Sequence, residues 1–164
     1  MTKTQMGEYV VGAYLRIVEG CNFIDYNVRP PGGGLAGLNE LDVIGLDFSN
    51  KKAFLCEVTT HIGGLLYKDN RTTIERVRKK FARQKQYAQR YLSDFPERVF
   101  MFWSPVVPVG YLTEHLEKIK GLELIINRSY AECMDELRSF AKQKTNDEGN
   151  PFFRVLQILE HLRR

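Results

Sequence analysis

The chain has 164 residues, 43% hydrophobic and 27% charged, with a formal net charge of +4. That length suits one domain with a sizeable core, and the composition is ordinary for a globular protein. No run of eighteen apolar residues exists, which argues against a membrane-spanning helix, and the three cysteines, Cys21, Cys56 and Cys133, have no ligand-like spacing and read as buried thiols in a reduced, cytoplasmic compartment.

In chain order, residues 3–19 carry a helical pattern interrupted by Glu8, Arg16 and Glu19 and lack a small-residue cleavage site. The expectation is a helix and not a signal peptide, with Thr2 to Gln5 fitting a capping box. "CNFIDYNV" reads as a strand and "RPPGGGLAGLN", Arg29 to Asn39, as a breaker. The breaker has no Lys-Ser/Thr ending, so it is no Walker loop and is expected to be a flexible connection on the active-site side. "ELDVIGLDFSNKKAFLCEVTT", Glu40 to Thr60, reads as two apolar strands joined by a polar turn. A long helix is predicted from Thr72 to Leu92, with Ile74, Val77, Phe81, Ala88 and Leu92 on one face. "RVFMFWSPVV" is a buried strand, "GYLTEHLEKIKG" contains a short helix ended by Gly121, "LELIIN" is a strand and "YAECMDELRSFAK" a helix. Residues 142–150 form a linker to an amphipathic helix over 151–163, opened by Pro151. Its Phe152, Phe153, Leu156, Leu159 and Leu162 are available either to cap the core or to form a homodimer contact. The order α-β-β-β-α-β-α-β-α-α predicts a single α/β domain over 1–164, with a mixed central β-sheet flanked by helices.

Each strand of the Glu40–Thr60 pair carries an acid among apolar residues. If Phe48 to Lys51 is a four-residue loop, Asp47 faces Lys52 as an opposite-charge pair, and Asp42 then lies across from Glu57 on the same face, with Cβ atoms roughly 5 Å apart. Glu40 and Thr59 would share that face with Ile44, Leu46, Ala53 and Leu55, and His61 would sit at its end. Leu41, Val43, Phe54, Cys56 and Val58 would line the other. Two carboxylates at ~4 Å repel by about 4 kcal/mol at an effective dielectric of ~20. They must share a proton, recruit a cation or bind a metal, and hard oxygen ligands at a strand end suit Mg²⁺ or Mn²⁺. The bland alternative is that they pair with lysines or helix N-termini, or that the register differs.

The positive charge is concentrated. Between Asn70 and Arg90 there are eight basic residues and one acid, a local +7 in a chain of +4, so the remainder is net acidic. One basic helix on an acidic body points to a directed anionic partner. Its expected outer face holds Arg76, Lys80, Arg83 and Tyr87, with Lys79 adjoining and Gln84 and Gln86 beside them. A solvated helix face is the plain alternative.

The acids "LDVIGLD" (Asp42) and "CEVTT" (Glu57-Val58-Thr59), on successive strands after a helix bearing Glu8, resemble the PD-(D/E)XK nuclease superfamily over Glu8 to about Ser104. The resemblance implies a restriction-endonuclease-like core and a divalent-metal-dependent endonuclease. Asp42, Glu57 and Glu8 would hold Mg²⁺ (or Mn²⁺), with the Val58 carbonyl as a further ligand. The superfamily's lysine position holds Thr59, and no proline precedes Asp42. In some members the cation moves to the following helix, where Lys79, Lys80 and Arg83 are available. His61 is a second candidate for proton transfer. The alternative is a nucleic-acid-binding or scaffold protein on this fold that has lost catalysis. A third reading is a protein-interaction module whose basic helix docks an acidic partner.

Overall fold

Two central strands, apolar on both faces, set the architecture. A computed structural model describes residues 3–32 and 40–163. In it, β2 (Leu41–Asp47) and β3 (Lys52–Val58) form an antiparallel hairpin with Asp47 opposite Lys52 and Val43 opposite Cys56, the register that the charge pair predicts. The Asp47 carboxylate closes the loop by accepting from the Ser49 and Asn50 N–H groups at 2.9 and 3.1 Å. β1 (Phe23–Val28) pairs antiparallel with β2. β3 pairs parallel with β4 (Glu97–Ser104), which pairs parallel with β5 (Leu122–Ile126). The result is a five-stranded mixed sheet in the order β1-β2-β3-β4-β5.

Parallel neighbours need crossover connections. These are α2 (Asn70–Tyr91) between β3 and β4, and α3 (Tyr111–Glu117) between β4 and β5. α1 (Met6–Ile17), α4 (Asn127–Gln143) and α5 (Pro151–Leu162) complete the five helices that flank the sheet. The side chains of Val11, Leu15, Leu137 and Phe153 pack there with Val43, Phe54, Cys56 and Trp103 of the sheet. α1 comes so close to β1 that a Cβ at Gly12 would overlap the Tyr26 hydroxyl. The element order is the expected one. All three cysteines are buried and free, and no helix among the described residues is long and apolar enough to cross a membrane.

Several local expectations need correction. α1 begins at Met6, where the Glu8 Oε2 accepts from the Gln5 N–H at 2.8 Å. The capping group is thus Glu8 acting on Gln5, and Thr2 lies outside the described residues, as does 33–39 of the expected flexible connection. Leu41 packs with Ile44, Leu55 and Ala88 on the α2 side, not with Val43. The β2–β3 pairing is not continued past Val43–Cys56, because the Val58 N–H turns to the Asp42 carboxylate, so alternation is not enforced at Leu41. In α5, Phe153 and Leu156 are buried but Leu159 and Leu162 are exposed. The helix caps the core and keeps an apolar outer edge. The segment before it is tied down: Gln157 donates to the Lys144 and Asn146 carbonyls, while Asn150 caps α5 and donates to the Tyr9 carbonyl.

α2 carries a further correction. The expected apolar residues Ile74, Val77, Phe81, Ala88 and Leu92 are all buried, but so is Gln84, at 1% exposure. Its Nε2 donates to the Leu55 carbonyl at 3.0 Å and to the Met101 carbonyl at 3.3 Å, joining β3 to β4 from above. Gln84→Ala should lower the free energy of unfolding by about 2–3 kcal/mol, from two lost hydrogen bonds and a small cavity. Urea denaturation checks this against exposed Gln86→Ala, which should stay within about 0.5 kcal/mol of the parent.

Candidate acid–lysine site

Just past the last paired residues, Val43 and Cys56, Asp42 on β2 and Glu57 on β3 bring their carboxyl groups within hydrogen-bond reach at one end of the sheet. The Asp42 Oδ2 accepts from the Val58 main-chain N–H at 2.8 Å, which fixes that carboxylate against β3. Glu57 Oε1 lies 2.8 Å from the Lys80 Nζ, with side chains 12% and 17% exposed respectively. Glu40, one residue before β2, pairs with Arg29 at 3.0 Å.

Lys80 was expected on the outer face of the basic helix, away from Val77 and Phe81. It points inward instead. Three residues after Val77 and four before Gln84, it falls in the Thr73-Val77-Gln84-Ala88 stripe, which the 3.6-residue period turns toward the sheet. An acid waiting beneath that stripe makes an inward lysine stable, whereas an apolar sheet there would have turned it out.

Burial is the main cause that raises the Glu57 carboxyl to about 8, with repulsion from Asp42 second and the Lys80 ammonium opposing both. Burial also raises Asp42, opposed by the Val58 N–H and by Lys80. Burial and mutual repulsion thus favour a proton on the pair, and the Lys80 ammonium beside Glu57 opposes it. Glu8 feels Asp42 and Glu40, and burial raises its carboxyl too. Its Oε2 is engaged by the Gln5 N–H and by the Asn27 Nδ2 at 3.1 Å, so it works as the cap of its own helix.

Thr59 sends its N–H to the Trp103 carbonyl at 2.8 Å, while its buried Oγ1 has no hydrogen-bond partner among the described residues. His61 is exposed, and its Nε2 lies 3.3 Å from the Tyr67 hydroxyl. Tyr67 is a site neighbour that sequence reasoning missed. The Arg76 guanidinium stacks 4.1 Å above its ring, and its hydroxyl is raised by burial and by the Glu57 and Asp42 charges, with Arg76 and Lys80 opposing. Nothing in the spacing of a tyrosine before the Asp69 helix cap marks it. Arg76 and Lys79 are exposed, and Arg83 and Tyr87 are half-buried further along α2.

Asp42, Glu57, Lys80 and the Val58 main chain are thus brought together, His61 reaches the neighbouring Tyr67, and Lys79 is exposed on α2. Among the described residues no three His, Cys, Asp or Glu side chains form a ready metal-holding group. The two acids alone still suit a hard divalent cation, which binds through one or two carboxylates and keeps several waters. The Thr59 Oγ1, one residue past β3 and without a partner among the described residues, offers a further oxygen. Comparison of the chain with family models, curated proteins and solved structures finds no match.

Between about 4.5, the ordinary carboxyl value, and about 8, folded Glu57 holds a proton that the unfolded chain has released. The folded state binds more protons in that window, so stability falls as pH rises through it. Glu57→Gln should flatten this slope, which urea denaturation at several pH values across the window measures; an unchanged slope would remove the proton from Glu57.

Proposed function

We propose that the chain is a divalent-metal-dependent nuclease, built on a restriction-endonuclease-like core, that hydrolyses phosphodiester bonds of DNA. The observation that carries this reading is the Lys80 Nζ at 2.8 Å from Glu57, beside Asp42. A lysine from α2 stands where Thr59 leaves the strand without one, which supports relocation of the motif cation. The α-β-β-β-α-β order of the first six elements, with a β1–β3 meander and a parallel β4, supports the core assignment.

Asp42 and Glu57, with the Val58 carbonyl, would hold Mg²⁺ or Mn²⁺. When bound, the metal supplies Lewis-acid stabilisation of the phosphodiester's developing charge and a more acidic water. Lys80 holds positive charge against the carboxylates and would meet the phosphate oxygens there. A proton that burial favours on Glu57 would leave as the cation enters, so loading improves as pH rises toward about 8. Arg76, Lys79 and Arg83 would take flanking phosphates on the exposed side of α2. A cytoplasmic setting suits three buried free thiols.

A binding or scaffold protein without catalysis is the second reading. Two observations favour it: Glu57 is already paired with Lys80, and Glu8 is committed to capping.

Cleavage assays with Mg²⁺, Mn²⁺ and chelator on several DNA and RNA forms separate the two. Asp42→Asn should abolish cleavage, and Lys80→Ala should cost roughly a hundredfold. Thr59→Lys added to Lys80→Ala should recover about tenfold of that loss by returning the ammonium to the strand. Absence of cleavage by the folded parent and by Thr59→Lys would leave the binding reading. DNA affinity should fall steeply with salt in either case, and Arg76→Ala or Lys79→Ala should reduce the log–log salt slope by about 1 each. No binding at low salt to duplex, branched or single-stranded DNA would remove both readings.

A further inference from the structure

Beyond Lys80 along the chain, the second half of α2 and the start of β2 border a cleft of about 280 Å³. Tyr87, Tyr91, Arg83 and Arg90 line it, with Pro31 and Leu41 on the opposite wall. The tyrosine ring centroids are 4.9 Å apart with planes at 51°, so the rings do not cover each other's faces. The Arg90 guanidinium lies 5.8 Å from the Tyr91 ring centre. Among the described residues neither Arg83 nor Arg90 is paired with a carboxylate, whereas Arg71, Arg128, Arg138 and Arg154 each hold one. Cations left without acids beside open aromatic faces suit a planar ligand that carries negative charge. The volume lies just under the range of small-molecule pockets, about 300–1,000 Å³, which suits one base with its phosphate and little more.

The position is informative. Leu41 precedes Asp42, and Arg83 follows Lys80 by three residues, roughly 4.5 Å along the helix axis. Tyr91 lies roughly 16 Å from Lys80 on the same scale, a few nucleotides of strand away. Bases inside a blunt duplex are stacked and present no face to a tyrosine, while an unpaired base does.

We infer that this cleft receives an unpaired nucleotide of the strand being cut, its base on Tyr91 and Tyr87 and its phosphates on Arg83 and Arg90. Single-stranded or frayed DNA is then the substrate form. That last step rests on the nuclease reading; occupancy of the cleft does not, and it is tested without catalysis. A labelled single-stranded dodecamer is titrated in chelator at low salt, against a blunt duplex of the same sequence and against a free nucleoside monophosphate as competitor. The single strand should bind at least about tenfold tighter than the duplex. Tyr91→Ala, at an exposed helix end, should weaken single-strand binding about tenfold and leave duplex binding unchanged. Tyr91→Phe should retain the parent affinity, and Lys85→Ala should weaken both forms alike. Equal affinity for single strand and duplex overturns the inference. So does an unaltered single-strand affinity in folded Tyr91→Ala, or displacement by the monophosphate at the oligonucleotide's own affinity, which would make this a free-nucleotide site. A strand held through Tyr91 but left uncut with Mg²⁺ sustains the cleft and removes the nuclease reading.

Discussion

Two carboxylates facing each other across a hairpin constrain more of this molecule than any other feature. Asp42 and Glu57 sit where the sheet is largely covered, and an isolated pair of charges there would be strongly unfavourable. Two responses are visible together. The Val58 N–H is given to Asp42 in place of a ladder bond, and Lys80 is turned in to Glu57. Each has a structural consequence. The first ends the regular β2–β3 pairing and frees Leu41 to reach the α2 side. The second fixes the rotation of α2.

That rotation organises one face of the sheet. Two apolar clusters lie under α2: Leu65, Ile74, Val77 and Phe102 near its start, and Leu55, Ala53, Ala88 and Leu92 near its end. Lys80 and Gln84 fall between them along the helix. Gln84 satisfies carbonyls of β3 and β4, and Lys80 answers the acid. A polar band thus runs across an otherwise dry interface, and its register admits one placement of the helix. Arg76 is led by the same placement onto Tyr67, and Arg83 and Tyr87 to the cleft at Leu41.

The opposite face is held by conventional means. α1, α4 and α5 bury a continuous set of side chains from Val11 to Leu156, and glycines admit the close approaches, as at Gly12 against Tyr26. This rigid side gives the acids a fixed base. The chemistry is confined to the ends of β2 and β3 and to the helix above them.

The chain by itself determined the element order, the hairpin register and the confrontation of the two acids, because period-2 alternation, the Asp47–Lys52 charge pair and a four-residue loop are local signals. It also determined that α2 is basic and which of its apolar residues are buried. It could not determine which polar residues turn inward. Lys80 and Gln84 look like surface residues in a helical pattern, and their direction depends on carbonyls and a carboxylate contributed by β3 and β4, distant in sequence. Glu8 was legible as an acid on the first helix, but its engagement by Gln5 and Asn27 arises from helix capping and from β1 packing alongside. Tyr67 had no signal at all until the loop brought it under Arg76. Local periodicity sets where a residue lies on its own element; what that residue meets there is decided by the packing of elements against one another.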